Sequence, residues 1–387
     1  MSRRTRFLVV RRDNIGDLVL TTPLIHALRQ HHPDAWIGAL VNAYNAPVLQ
    51  GNPDLDAIYA YDKAKHRPEQ SRLTVYANTA RLLWRLRAAR LDHVILAGPG
   101  AQRQAWQMVR WLGARSVTGF TTAQFAPRGI RQPVAYGAAA GLHEAADVFR
   151  LLAPFGIEGP PPACVLRPDA ALAGRLRQTV DGVAGAAGVA GVAAVTGMTG
   201  MTGVAGVAGV AGVPGGAGPA GVTAAQRPLV GVHLSARRVK QRWAAARFAE
   251  LMRALHARAG VRFVLFWSPG AADQPQPPGD DARAREVLAW LPPGVPVVPL
   301  PTQRLEQLIA GLSLCDAVVL ADGGAMHLAA ALGKPLIALF GDAPVARWRP
   351  WRVEHEIVQA ASGDVADVTV LDVMQAWERL SPRVLTA

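Results

Sequence analysis

Short apolar runs alternate with helical patterns twice along this chain, once on each side of an uncharged stretch at residues 182–226. A strand that must return parallel to its neighbour needs a crossover, and a helix of ten or more residues supplies it. The first series predicts strands at Phe7–Arg11, Trp36–Val41, Asp92–Ala97 and Ser116–Phe120, with helices at Asp17–His31, Leu73–Ala89 and Glu144–Leu152. Leu18, Thr21, Leu24, Ile25 and Leu28 share one face of the first helix at 3/4 spacing. The second series predicts strands at Leu229–Leu234, Arg262–Trp267, Val295–Leu300, Ala317–Ala321 and Pro335–Phe340, with helices at Ala244–Ala259, Leu305–Leu312 and Ala325–Leu332. Together they predict an α/β chain of two Rossmann-like domains. Ligands of such domains bind outside the carboxyl ends of the strands, and a cleft between the domains is the expected site.

The stretch between the two series places glycine at every third position from Gly182 to Gly221, with Ala194 the one exception. Collagen shares that period but needs abundant proline, and only Pro214 and Pro219 occur here. A membrane span would need large apolar side chains, and Leu, Ile and Phe are missing from it. Repeated Gly-Val-Ala units are costly to order and offer little to pack, so we expect a linker or surface insertion. The expected organisation is therefore residues 1–168, a connecting helix and linker over 169–226, and residues 227–387.

The formal net charge is +13, and every basic residue except Lys63, Lys65, Lys240 and Lys334 is arginine. Such a charge suits an anionic partner, but GC-rich coding bias explains the arginine equally well. Half the residues are apolar, which excludes a charge-rich disordered chain. Cys164 and Cys315 cannot build a disulfide framework or a four-ligand zinc site, and read as small buried residues in a reducing compartment. The apolar run Phe7–Val10 is too short for a signal-peptide core, so a cytoplasmic location is expected.

Three loops carry chemistry. In Arg11-Arg12-Asp13-Asn14-Ile15-Gly16-Asp17 a strand turns into a helix, and Asp17 reads either as a helix-start acid or as a general base on a hydroxyl. Arg11 and Arg12 beside it suit an anionic acceptor. His233 to Trp243 contains Arg237, Arg238, Lys240 and Arg242, which is either a solvated basic loop or a diphosphate site. At Asp322-Gly323-Gly324-Ala325-Met326-His327 a strand ends and a helix begins, and its backbone N–H groups can cradle an anion. His327 lies one turn into that helix, as a ligand contact or a satisfied cap. No spacing of His, Cys, Asp or Glu calls for a metal.

Taken in order, these loops resemble glycosyltransferase family 9, the lipopolysaccharide heptosyltransferase family. The resemblance rests on Ile15-Gly16-Asp17 with Thr22-Pro23-Leu24, on His233, Lys240 and Trp243, on Asp322 to Pro335, on Leu339-Phe340-Gly341-Asp342 and on Trp348-Arg349-Pro350-Trp351. It implies a GT-B fold, two Rossmann-like domains facing an interdomain cleft, with acceptor on the first and nucleotide-sugar on the second. A final helix, at Leu371–Leu380, is expected to cross back toward the first domain. The implied reaction is an inverting, metal-independent transfer of heptose from ADP-L-glycero-D-manno-heptose to the inner core of lipopolysaccharide, with no cofactor.

By the same resemblance, Asp17 matches the base, and Lys240 matches the lysine that stabilises the leaving diphosphate. Asp322, Gly323, Gly324, Ala325 and His327 match donor-binding positions, and Thr302 and Gln303 lie where the chain passes the adenine. Many relatives have Asp-Thr-Gly where this chain has Asp322-Gly323-Gly324, and the acid for the ribose falls to Asp280 or Asp281. An anionic Kdo-lipid A type acceptor would sit in the cytoplasmic leaflet of the inner membrane. Peripheral attachment through Arg11, Arg12, Lys63, Lys65, Arg67 and the Arg81–Arg90 helix is expected. Two alternatives stand: another donor or a protein acceptor, or a non-catalytic basic nucleotide- or nucleic-acid-binding protein. No recognisable nucleic-acid module supports the last.

Overall fold

The structure, a computed structural model, describes residues 3–62, 71–100, 102–137, 141–185, 227–273 and 279–384. Lys63, Lys65 and Arg67 lie outside the described residues, as does the Gly-Val-Ala tract beyond Gly185. The chain divides into two compact units, Met1–Arg167 with Ala346–Arg352, and Pro168–Val345 with Val353–Ala387.

In the first unit, β1 (Arg6–Val10), β2 (Trp36–Asn42), β3 (Ala57–Tyr61), β4 (His93–Leu96), β5 (Ser116–Thr121) and β6 (Gln132–Ala135) form one sheet in the order β3-β2-β1-β4-β5-β6. All pairs are parallel, with Val9 opposite Ala39 on one side and Ile95 on the other. The central strands are buried on both faces, which is why they read as unbroken apolar runs. Strand order reverses between β1 and β4, so the loops after these strands border the crevice where such sheets take ligands. The helices are α1 (Ile15–Val19), α2 (Thr22–His31), α3 (Arg72–Ala88), α4 (Arg103–Val109) and α5 (Glu144–Phe149).

The one helix expected over Asp17–His31 is two. Pro23 has no N–H to return to the Val19 carbonyl, and the Thr22 hydroxyl takes that carbonyl instead at 2.7 Å. The same hydroxyl accepts from the Val165 N–H at 2.9 Å. The break lets α1 stand as a short platform for Asp17.

In the second unit, β7 (Leu229–His233), β8 (Arg262–Trp267), β9 (Val297–Pro301), β10 (Ala317–Ala321), β11 (Leu336–Phe340) and β12 (His355–Gln359) are ordered β12-β11-β10-β7-β8-β9, again all parallel. Both sheets thus have the same Rossmann order, and the second reverses between β7 and β10. Its helices are α6 (Ala170–Gly185), α7 (Ala245–Ala259), α8 (Asp281–Trp290), α9 (Leu305–Leu314), α10 (Gly324–Ala331), α11 (Val345–Trp348) and α12 (Val370–Val384). Phe248, Leu251, Met252 and Leu255 of α7 bury at 3/4 spacing against Val230, Val232, Phe263 and Leu265. Each such side chain contributes about 1.5–3 kcal/mol by leaving water. Gly260, at φ +63°, ends α7 in the left-handed conformation that glycine adopts without strain.

The expected crossover helix is α12, and it belongs to the second unit. Its apolar face, Val373, Ala376, Trp377 and Leu380, is buried in that unit's core. The stretch of the C-terminal half that belongs to the first unit is Ala346–Arg352. Cys164 and Cys315 form no disulfide, and burial pushes the Cys315 thiol up to about 12. Among the described residues, no helix is long and apolar enough to cross a membrane.

Candidate active site

Each unit presents candidate site residues at the carboxyl ends of its central strands. In the first, the loop after β1 is clamped from the end of β2. The Asp13 carbonyl accepts from Asn42 Nδ2 at 3.1 Å, Tyr44 Oη at 2.9 Å and Asn45 Nδ2 at 3.1 Å. Three donors on one carbonyl fix the turn that starts α1. Asp17 then returns its carboxylate to the helix start, where Oδ2 accepts from the Asn14 N–H at 2.9 Å and from Asn14 Nδ2 at 3.0 Å. Its other oxygen, Oδ1, accepts from Arg11 Nη2 at 2.9 Å. A carboxylate offers about four lone-pair sites, so the held oxygens retain capacity for one further donor.

Arg11 is expected at the acceptor, and the structure places it at 1% exposure. Its guanidinium donates to the Ala97 carbonyl at 2.7 Å, to Asp17 and, at 2.8 Å, to Glu144, while Nε lies 3.0 Å from Asp13 Oδ2 without hydrogen-bond geometry. Burial pulls the Arg11 pKa down, but the charges of Asp17, Glu144 and Asp13 outweigh it and the net shift is upward. Arg11 therefore organises the carboxylates and does not meet a solvent-borne anion. Arg12 is half-buried, with Nε donating to Tyr61 Oη at 2.7 Å.

Sequence reasoning missed the carboxylates behind Arg11. Glu144, at the start of α5, is completely buried and also accepts from Arg347 Nη2; Asp147 accepts from the same nitrogen at 3.2 Å. The Nδ1 of His143 accepts from the Ala145 N–H at 3.1 Å, so its Nε2 carries the proton and donates to the Arg349 carbonyl at 2.8 Å. Its ring lies 4.4 Å from that of Trp351, whose indole donates to the Pro162 carbonyl at 2.9 Å. The Trp348-Arg349-Pro350-Trp351 motif thus serves as an anchor within the first unit. The only local signal for Glu144 and Asp147 is acids in the first turn of a helix.

In the second unit, Lys240 sits in a single 3-10 turn after β7, with Nζ 3.5 Å from Asp342 Oδ2, and Arg238 reaches the same carboxylate at 3.8 Å. Lys240 is 56% exposed, free to swing toward a ligand. The loop is held from beneath. Trp243 is buried and its indole donates to the Val368 carbonyl at 2.8 Å, so the motif tryptophan is an anchor. A Cβ on Gly341 would lie 2.9 Å from the Lys240 carbonyl, which is why the close approach needs glycine.

Asp322 follows β10 and accepts from Gln241 Nε2 at 2.9 Å. Burial raises its pKa to about 6, against the opposing effects of the Gln241 bond and Arg238. Gly323, Gly324 and Ala325 are half-buried, and α10 begins at Gly324. The first N–H groups of a helix have no partner within it, and the dipole there favours negative charge. His327 is buried in the first turns of that helix, its N–H directed to the Gly323 carbonyl at 3.4 Å.

Thr302 follows β9, its hydroxyl given to the Trp267 carbonyl at 3.1 Å, and Gln303 is exposed. Of the two acids considered for a ribose, Asp281 accepts on both oxygens, from the Trp267 indole at 2.7 Å and the Gly270 N–H at 2.9 Å. Asp280 gives Oδ1 to Arg283 at 3.0 Å, and its buried Oδ2 has no partner among the described residues. The oxygen without any partner among the described residues is therefore on Asp280. Among the described residues, no group of three or more His, Cys, Asp or Glu is arranged to hold a metal ion.

The sequence model of glycosyltransferase family 9 (heptosyltransferase) matches residues 79–378. Lipopolysaccharide heptosyltransferase 3 of Escherichia coli is 24% identical over 362 residues, 92% of this chain and 89% of that protein. The crystal structure of a family 9 glycosyl transferase from Veillonella parvula is similar over 98% of this chain and 97% of its own, with a TM-score of 0.74 and 17% identity. The structure of E. coli ADP-heptose lps heptosyltransferase II is similar over 98% and 99%, with a TM-score of 0.69 and 18% identity. At these identities the structural likeness establishes the fold, which is GT-B.

Proposed function

The chain belongs to glycosyltransferase family 9, and from that premise we propose that it transfers heptose from ADP-L-glycero-D-manno-heptose to the inner core of lipopolysaccharide. The observation that carries this reading is the turn after β10. There a buried acid, two glycines and a helix start lie on the same face as the basic loop of Arg238 and Lys240. Such a turn suits a sugar diphosphate, with backbone N–H groups on the phosphates and Asp322 accepting from sugar hydroxyls.

In the proposed reaction the acceptor oxygen bonds to the anomeric carbon as the bond from that carbon to the diphosphate oxygen breaks. The proton of the acceptor hydroxyl ends on Asp17, and the electron pair leaves with ADP. Attack from the face opposite the leaving group inverts the anomeric centre. Lys240, with Arg238, balances the charge on the departing diphosphate, and no metal or cofactor is assigned a step. A Kdo-lipid A type acceptor places the enzyme in the cytoplasm, at the inner membrane surface. The name of the E. coli structural relative, an ADP-heptose lps heptosyltransferase, supports this donor and acceptor class.

A second reading, a different nucleotide-sugar donor, is favoured by Gly323. A Cβ there would meet nothing within 4 Å, so the turn leaves space beside the donor position. The deciding experiment is transfer from ADP-heptose to Kdo-lipid A by wild type, Asp17→Ala and Lys240→Ala. Product from wild type that is lost in folded Asp17→Ala supports the proposal. No product alongside tight binding of another nucleotide-sugar would move the donor.

A further inference from the structure

We propose that α3, with the end of α4, is a docking face for an anionic lipid surface. The inference rests on the reading above of an acceptor carried in a lipid leaflet. Helix α3 turns only a narrow face inward. Val75 and Leu86 are buried, and Leu82, Leu83 and Ala89 pack partly against the core of the first unit. Three of its largest apolar side chains point the other way, with Leu73 81%, Tyr76 63% and Trp84 71% exposed. At 3.6 residues per turn they share a sector of about 100° with exposed Ala77 and Ala80. Trp111, 65% exposed, extends the patch past α4, since Arg87 Nη1 donates to its carbonyl at 2.5 Å.

Among the described residues of α3 and α4, the exposed charge has one sign. Arg81, Arg85, Arg87, Arg90 and Arg110 are exposed along it, and Arg110 lies 4.9 Å over the Trp111 ring. From Ser71 to Arg115 the only acid is Asp92, which is paired with Arg3 at 2.5 Å and Arg115 at 3.5 Å. A second copy of this chain on a two-fold axis would bring arginine against arginine. A bilayer with anionic headgroups suits both features. Tyr and Trp rings settle at the depth of the headgroups, and long arginine side chains reach lipid phosphates while their stems lie on apolar surface.

The test is co-sedimentation of the full chain with vesicles of phosphatidylcholine alone and of phosphatidylcholine with phosphatidylglycerol. Wild type should bind the anionic vesicles roughly tenfold more tightly, and added salt should weaken that binding. Trp84→Ser with Trp111→Ser should lower anionic-vesicle binding about tenfold, and Arg81→Gln with Arg85→Gln should erase the preference for anionic lipid. All four side chains are exposed, so an unchanged circular-dichroism melt is expected. Binding needs no turnover, so a wrong donor or acceptor would abolish transfer and leave vesicle binding intact. Equal binding to both vesicle types, or undiminished binding by the tryptophan variant, overturns the proposal. So does a wild-type dimer that the tryptophan variant dissociates, which would make the face a protein interface.

Discussion

Arg11 and Glu144 meet at 2.8 Å inside the first unit, where both side chains are buried. Glu144 is the shared acceptor of Arg11 and Arg347, and Arg11 in turn holds Asp17 at 2.9 Å. Three residues far apart in sequence thus position the proposed base. Glu144→Gln removes the charge between two arginines and leaves a buried cation short of a partner. We expect a stability loss of about 3–5 kcal/mol by urea unfolding, with kcat reduced and donor KM unchanged. An unaltered urea midpoint would show that the network does not hold this region.

Lys240 is exposed and its ion pair with Asp342 is long, at 3.5 Å, so Lys240→Ala should melt at the wild-type temperature. Its proposed role lies in the transition state, where losing one charge-stabilising donor costs about 10²–10³ in kcat. Steady-state kinetics check this, with Asp342→Ala as the comparison. That variant frees the lysine and should fall in kcat far less.

Gly341 is predicted to resist a single added carbon. In Gly341→Ala the new Cβ would press within 2.9 Å of the Lys240 carbonyl, a backbone atom that cannot swing away. The Lys240 loop must shift, so donor KM should rise several-fold while the sheet and its far-UV spectrum persist. Binding of ADP by calorimetry would test it, and wild-type affinity would refute the steric argument.

Two buried groups give opposite pH dependences. Burial lowers the His233 pKa from 6.5 to about 4, and the charge of Asp280 only partly offsets it. The unfolded chain takes up that proton first, so stability present above pH 6.5 is lost toward pH 4, by on the order of 3 kcal/mol. Asp322, raised by burial from 3.8 to about 6, is protonated first in the folded chain. Its desolvation cost is present above pH 6 and relieved toward pH 4. Asp322→Asn should therefore be more stable than wild type at pH 8 by on the order of 3 kcal/mol, steeper in its acid limb, and poorer in donor binding. Urea unfolding across pH 4–8 tests both; a variant no more stable at pH 8 would contradict the assignment.

The two series of strands and helices, the break between them and the loops that carry chemistry are all legible in the order of residues. Strands such as β8 and β10 match the expected Arg262–Trp267 and Ala317–Ala321 because burial on both faces leaves a nearly unbroken apolar run. The edge strands β3, β6 and β12 were invisible for the complementary reason. One face of each is partly exposed; polar residues break up β6 and β12, and β3 is a short apolar run whose residues alternate between half-buried and exposed. That Arg11 is an interior organiser, that Asp280 and not Asp281 keeps an oxygen without a partner, and that Arg347 completes the carboxylate cluster of the first unit emerges from the folded chain alone. Local pattern reports how each element is buried. A charge's partner depends on which strand ends the topology gathers, and Glu144 lies 133 residues from Arg11 and 203 from Arg347.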